Sequence, residues 1–234
     1  MNPQEKILAL WDVDQALHRL TGLINDLKLE EERIKARIQS EDQAWQRRRE
    51  SHRKLRQTAT AKAREVDETD DRIRAYQKRL DQDIIPYKEM EYLREQVGLL
   101  RKRLEKLEQE ALELLEETDV DAERLSQDEK EYKARRARLE GELHGLKERR
   151  EGLERERERL LERRQEALKE LPGHLREHYE RLHEAVSDPV AVVKDGACSG
   201  CQLRLSEILL ERVREGREVV ICENCSRFLF LCWR

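Results

Sequence analysis

From position 10 to position 80 the chain repeats an apolar residue every seven positions without a break. Stepping from Leu10 gives Leu17, Ile24, Glu31, Ile38, Trp45, His52, Ala59, Val66, Ile73 and Leu80, nine of the eleven apolar. Companion positions three residues later include Val13, Leu20, Leu27, Ile34, Leu55 and Tyr76. A 3.5-residue apolar period marks a helix that buries one narrow seam, as in a coiled coil. A second register steps from Met90 through Val97, Leu104, Ala111, Thr118, Leu125, Tyr132, Leu139, Leu146, Leu153 and Leu160 to Ala167, with only Thr118 polar. Between them, Pro86 forbids a continuous helix and suits the first turn of a new one. Leu171-Pro172-Gly173 ends the second register. Two helices of roughly 80 residues would each rise about 120 Å.

Composition agrees with helices that bury little. Charged residues make up 43% of the 234 positions and aromatic residues only 4%, too little apolar surface for one globular core of that length. Charge also tells the helices which partner to choose. Window 45–64 holds eight basic residues against Glu50 alone, whereas window 105–124 holds nine acidic residues against Lys106 and Arg124. With a bend near 81–86 these windows face each other, so residues 1–171 are predicted to fold as an antiparallel coiled-coil hairpin. A single hairpin and a pair of hairpins both satisfy this pattern. The weakest seam positions, Glu41, Arg48 and His52 against Thr118, Asp121 and Asp128, also face each other and suggest a flexible joint. The basic run 47–56 reads as a face matched by its own acidic partner rather than as a nucleic-acid patch.

Residues 172–234 change character. A short helix over 174–187 places Leu175, Tyr179, Leu182 and Val186 on one face. A strand is predicted over 190–193, a helix over 207–215 capped by Ser206 and closed by Gly216, and further strands over 219–221 and 228–231. The expected fold class is therefore mainly α, a long antiparallel hairpin with a small C-terminal α+β module.

The chemistry lies in this module. Cys198 and Cys201 form one C-x2-C pair and Cys222 and Cys225 a second, 20 residues further on. Each tight turn presents two thiolates, and the segment between carries one turn across to the other, which is the pattern of a four-cysteine zinc site. Soft thiolates favour zinc over hard cations, with iron the main competitor. Four protein ligands fill the coordination sphere, so one structural Zn2+ is expected rather than a catalytic one. Cys232, the fifth cysteine, is read as a small packing residue, and His174 with His178 as a solvated pair.

Several functional classes recede on these grounds. No nucleophile–base arrangement or phosphate-binding glycine loop is evident, so no enzymatic activity is expected. The N-terminus lacks a signal peptide and no apolar run would span a bilayer, which with reduced cysteines suggests a cytoplasmic protein. From 190 to 234, seven basic residues stand against six acidic ones, a weak field for phosphate. A protein partner is therefore favoured. The alternative is RNA or DNA binding through the ribbon, with Phe228, Phe230 and Trp233 as stacking residues. Near the N-terminus Ile7, Leu8, Trp11 and Leu23 exceed what the facing helix can cover, because Arg135, Arg149 and Arg163 occupy its companion positions; the ribbon or another protein should cover them.

The chain resembles a bacterial family of four-cysteine zinc ribbon proteins with a long N-terminal coiled-coil hairpin. Pro172, Tyr179, the strand over 190–193, Gly196, Cys198-x2-Cys201 and Cys222-Glu223-Asn224-Cys225-Ser226-Arg227 follow the family's order, as does Tyr87-Lys88-Glu89 after the bend. The resemblance implies four zinc-ligating cysteines, no catalytic activity and an adaptor-like role. Some members are tied to an alternative sigma factor and to flagellar or secretion gene control. Ser226 stands where the family usually has glycine, which predicts some backbone strain.

Overall fold

The computed structural model describes residues 2–186 and 188–231. The order is α1 (Pro3–Gln82), α2 (Tyr87–Glu170), α3 (Gly173–Ala185), β1 (Val190–Lys194), β2 (Ala197–Cys198), α4 (Glu207–Glu215), β3 (Val220–Ile221) and β4 (Phe228–Leu231). The mainly α hairpin with a small C-terminal ribbon is thus what the chain adopts. Among the described residues no helix is long and apolar enough to cross a membrane. The chain divides into two compact units, Glu32–His144 and the combination of Met1–Glu31 with Gly145–Arg234.

In the unit 32–144, α1 and α2 run antiparallel on either side of the bend. Pro86 accepts the first backbone bonds of α2, from the Glu89 and Met90 amides at 2.9 and 3.0 Å. Arg79 reaches over the bend to Glu89 at 2.5 Å. Ile34, Ala59, Ile73, Leu93, Val97, Leu107, Ala111 and Leu139 are buried in the seam. Thr69 and Thr118 share it, each donating its hydroxyl to a carbonyl of its own helix four residues back, at 2.7 Å.

The polar stretch expected to be a flexible joint is instead a network. Arg48 donates through Nη2 to Asp121 Oδ1 at 2.9 Å and through Nε to Asp128 Oδ2 at 2.7 Å. His52 Nδ1 lies 2.8 Å from Asp121 Oδ2. One turn further, Tyr132 stacks on Trp45 with ring centres 5.3 Å apart and donates to Asp42 at 2.6 Å. Directional pairs thus replace the missing apolar area.

The Arg48 bond, with help from His52, holds the Asp121 carboxyl below the usual carboxylate range. A depressed pKa contributes stability that is present above the unfolded carboxylate's pKa of about 4 and is lost as pH falls through the folded value. Asp121→Asn should therefore cost roughly 1 kcal/mol at neutral pH, since the pair is partly solvated, and flatten the acid limb of the stability curve. Urea melts between pH 2.5 and 7 check this.

The basic window is less completely matched than its acidic partner suggested. Among the described residues of this window only Arg48 and Lys62 form ion pairs across to α2, Lys62 with Glu110 at 3.1 Å, while Arg49 acts on Glu129 from a greater distance. Arg49, Arg53, Arg56 and Arg64 line an open groove of about 1080 Å³ along α1 that reaches His52 in the seam and Leu125 of α2.

The second unit holds both helix roots and the ribbon. Its four-stranded sheet has the order β2-β1-β4-β3. β1 and β4 are parallel, Val190 opposite Phe228 and Val192 opposite Phe230, and the outer pairs are antiparallel. One face, with Val190, Phe228 and Phe230, packs on Ile7 and Leu10 of α1, Leu168 and Leu171 at the end of α2, and Leu175, Tyr179 and Leu182 of α3. The other face, with Ala191, Val220 and Leu229, packs on Leu209 and Val213 of α4. Alternation along β4 therefore serves two cores at once. The N-terminal apolar surplus is consumed here: Ile7 is fully buried and Leu8 and Trp11 pack against this core, while Leu23 stays half exposed.

Towards the roots, the buried companion positions of α2 shift by one residue, from three to four after each heptad position. Leu143, Arg150, Arg164 and Leu171 thereby turn to the interior while Arg135, Arg149 and Arg163 face out. Two of these arginines meet buried acids on α1. Arg150 Nε donates to Glu31 at 2.7 Å and Arg164 Nε to Asp14 at 2.5 Å. Asp14 also accepts from the Tyr179 hydroxyl at 2.8 Å.

Candidate metal centre

Two similar turns build the centre. In the first, the Cys198 amide donates to Leu203 O at 3.0 Å and the Gln202 amide returns to Cys198 O at 2.8 Å. In the second, the Cys222 amide donates to Arg227 O at 2.8 Å and the Ser226 amide to Cys222 O at 2.9 Å. Each turn aims two sulfurs to one side, and each needs its following residue in the left-handed region. Gln202 has φ 62° and Ser226 φ 63°. The strain expected at Ser226 is present, and Gln202 carries the same burden. A left-handed non-glycine residue costs about 1 kcal/mol or more, partly offset by glycine's larger loss of chain entropy. Ser226→Gly should thus raise stability by up to roughly 1 kcal/mol, read as a higher melting temperature of the zinc-loaded protein.

The sequence singled out Cys198, Cys201, Cys222 and Cys225, and the structure brings all four together, their sulfurs within 4.8 Å of one another. Cys198 Sγ lies 3.7 Å from Cys225 Sγ, and Cys201 Sγ 3.8 Å from Cys222 Sγ. A disulfide would need about 2.05 Å. Tetrahedral zinc with bonds of about 2.3 Å requires sulfurs about 3.8 Å apart. The thiols fit the ion, and one structural zinc belongs here. Cys232 and Trp233 lie outside the described residues.

The four thiols differ in their surroundings. Cys198 is fully buried, and burial pushes its thiol up to about 12. Cys222 is pushed up for the same reason. Cys201 is drawn down to about 6, first by the Leu203 backbone and then by Asn224. Buried thiols without metal hold their protons, so zinc must displace them.

Neighbouring groups hold the knuckles in place, and no local pattern marks them in the sequence. His178 of α3, expected to be solvated, donates from Nε2 to Ser226 O at 2.8 Å and sets its ring edge-on to Phe228 with centres 5.1 Å apart. His174 stays exposed. Arg227 donates from Nε to Asp188 O at 2.8 Å, and its side chain lies so close over Gly200 that a Cβ there would come within 2.5 Å of Cδ. Asp188 in turn accepts from Trp11 Nε1 at 2.6 Å. The first knuckle, the second knuckle and the root of α1 are thereby tied in one chain of contacts.

Similar architecture recurs in solved proteins. A structure of CT398 from Chlamydia trachomatis shares 20% identity at a TM-score of 0.77, over 97% of each chain. A protein from Mycobacterium smegmatis shares 17% at 0.74, over 98% of this chain and 97% of its own. The HP0958 protein from Helicobacter pylori shares 17% at 0.50, over 97% of this chain and 96% of its own. At these identities the likeness concerns the fold. No curated protein matches the chain. Residues 197–229 match the C4-type zinc ribbon domain. Residues 10–187 match the CT398-like coiled coil hairpin domain, and the chain belongs to that family.

Proposed function

We propose that this zinc-binding protein is a non-enzymatic adaptor that docks protein partners through its hairpin and its ribbon. The observation that carries this reading is the closed four-thiolate centre, which leaves a bound zinc no position for water or substrate. Transcription machinery, a sigma factor included, and flagellar or secretion gene control are the setting that the family resemblance suggests. The ribbon's sheet is covered on both faces, and Phe228 and Phe230 are buried in the root core. They are not available to stack on bases, which weighs against the nucleic-acid alternative.

The docking surface lies elsewhere than Leu8 and Trp11, which are spent on internal packing. Exposed apolar side chains cluster around the bend at Ile84, Tyr87 and Tyr92 and occur on the ribbon at Leu203 and Ile208. Affinity capture from native extract with the zinc-loaded chain tests the reading. Replacing Ile84 and Tyr87, or Leu203 and Ile208, by glutamate should release specific proteins. If both variants retain every partner, or if the captured material is RNA, the adaptor reading fails.

A further inference from the structure

Two stripes on the surface of the unit 32–144 carry charge that the chain itself leaves largely unmatched. On α1, Arg49, Arg53, Arg56, Thr60 and Arg64 follow one another at steps of four, three, four and four residues, all exposed. On α2, Glu108, Leu112, Leu115, Asp119 and Glu123 follow at the same steps, also all exposed. Such steps hold each set on one helix face. Arg53 pairs with Glu50 of its own helix. Arg49 lies near enough to Glu129 of α2 to help hold that carboxyl down, and among the described residues Arg56, Arg64 and the three acids have no ion pair within 4 Å. Leu112 and Leu115 stand 61% and 46% exposed in the acidic stripe.

The stripes lie level with each other. Arg48 meets Asp121 and Lys62 meets Glu110 across the seam, which puts Arg49 opposite residues 120–123 and Arg64 opposite 105–108. A polyanion approaching here would meet both signs within one coiled-coil width, and beyond a Debye length of about 8 Å the two fields cancel. The surface instead fits a partner that carries the same two stripes in exchanged order. We propose that this partner is a second copy of the chain, with the basic stripe of α1 in each copy seated on the acidic stripe of α2 in the other.

A twofold axis parallel to the helices satisfies both contacts at once. Arg49 then faces Glu123, Arg53 faces Asp119 and Arg64 faces Glu108 of the other copy. The aliphatic stem of Arg56 and the methyl of Thr60 lie over Leu115 and Leu112. The contact is self-complementary, so it forms twice and closes at two copies.

The test is the mass of the zinc-loaded full chain in solution by sedimentation equilibrium. At low ionic strength it should approach twice the chain mass of 28.0 kDa and fall towards 28.0 kDa as salt is raised. The triple variant Arg49→Glu, Arg53→Glu, Arg64→Glu should be monomeric, and so should Glu108→Arg, Asp119→Arg, Glu123→Arg. Mixed in equal amounts, the two should form a one-to-one dimer, because each supplies the charge that the other has lost. Circular dichroism verifies that both remain helical. Should either triple variant fail to fold, the chain carrying all six exchanges replaces it and should dimerise with itself. A wild-type chain that stays at 28.0 kDa in low salt overturns the proposal. So does either triple variant that still dimerises alone, a mixture of the two folded triple variants that stays monomeric, or a six-exchange chain that stays monomeric.

Discussion

Removing zinc should unfold the ribbon and loosen the roots of both long helices while the unit around the bend stays helical. Cys198 and Cys222 lie in the same core cluster as Leu209, Val213, Val220 and Leu229. So small a module has few apolar residues to hold it once the metal is gone, and structural zinc contributes on the order of 10 kcal/mol or more to such folds. Either a strong chelator or Cys222→Ser should abolish hydrogen-exchange protection over 190–231. The loss should spread through Phe228 and Phe230 to α3, because β4 belongs to both cores. Protection over 90–115 should not change. Zinc uptake must release protons from at least Cys198 and Cys222, whose thiols burial holds above the ordinary range. Zinc affinity should therefore fall as pH falls, and binding in weak buffer should acidify the solution. Retained protection after full metal removal would contradict this account.

The second large effect is expected at Asp14. It is 7% exposed on α1 and serves the Arg164 guanidinium and the Tyr179 hydroxyl, with His183 Nδ1 3.6 Å away and not hydrogen-bonded to it. Asp14→Ala would leave a largely buried arginine without its counter-ion and a buried hydroxyl without its acceptor. Removing one member of such a pair costs about 3–5 kcal/mol. Tyr179→Phe keeps the ring against Phe228, centres 5.9 Å apart, and loses only the hydrogen bond to the carboxylate, about 1.5–3 kcal/mol. The double variant should cost less than the sum of the two, because both changes remove one shared contact. Denaturant melts of the four chains separate these outcomes. Equal effects of the two single changes would show that the carboxylate's partners matter less than the geometry suggests.

Local signals carried far in this chain and non-local ones did not. Every heptad position stepped from Leu10 and from Met90 is buried or half buried, because a seam repeats in the chain's own numbering. The cap at Ser206 and the left-handed Gly216 bound α4 as their residue types predict. The four cysteines were legible from spacing alone. The shift of α2's companion positions was not, because Arg150 and Arg164, not apolar residues, occupy the seam there. Glu31, one of two polar residues in the register from Leu10, was the one trace of those pairs. The parallel pairing of β1 with β4 and the packing of His178 on the second knuckle join residues more than 35 positions apart, and neither leaves a periodic mark. The surplus at Ile7, Leu8 and Trp11 did point to a missing cover, which the ribbon and α3 supply.

That cover has a consequence for how the protein is made. Ile7, Leu8, Leu10 and Trp11 are synthesised some 220 residues before Phe228 and Phe230, which close over their cluster. At about 5–20 residues per second, some 220 residues of synthesis take roughly 10 to 40 s. For that interval this segment of α1 presents a bare apolar face. The ribbon must then find zinc before the face is sealed. Cells short of zinc should therefore accumulate chains that chaperones hold or proteases remove, and the first sign should be cleavage near Trp11 rather than within the ribbon.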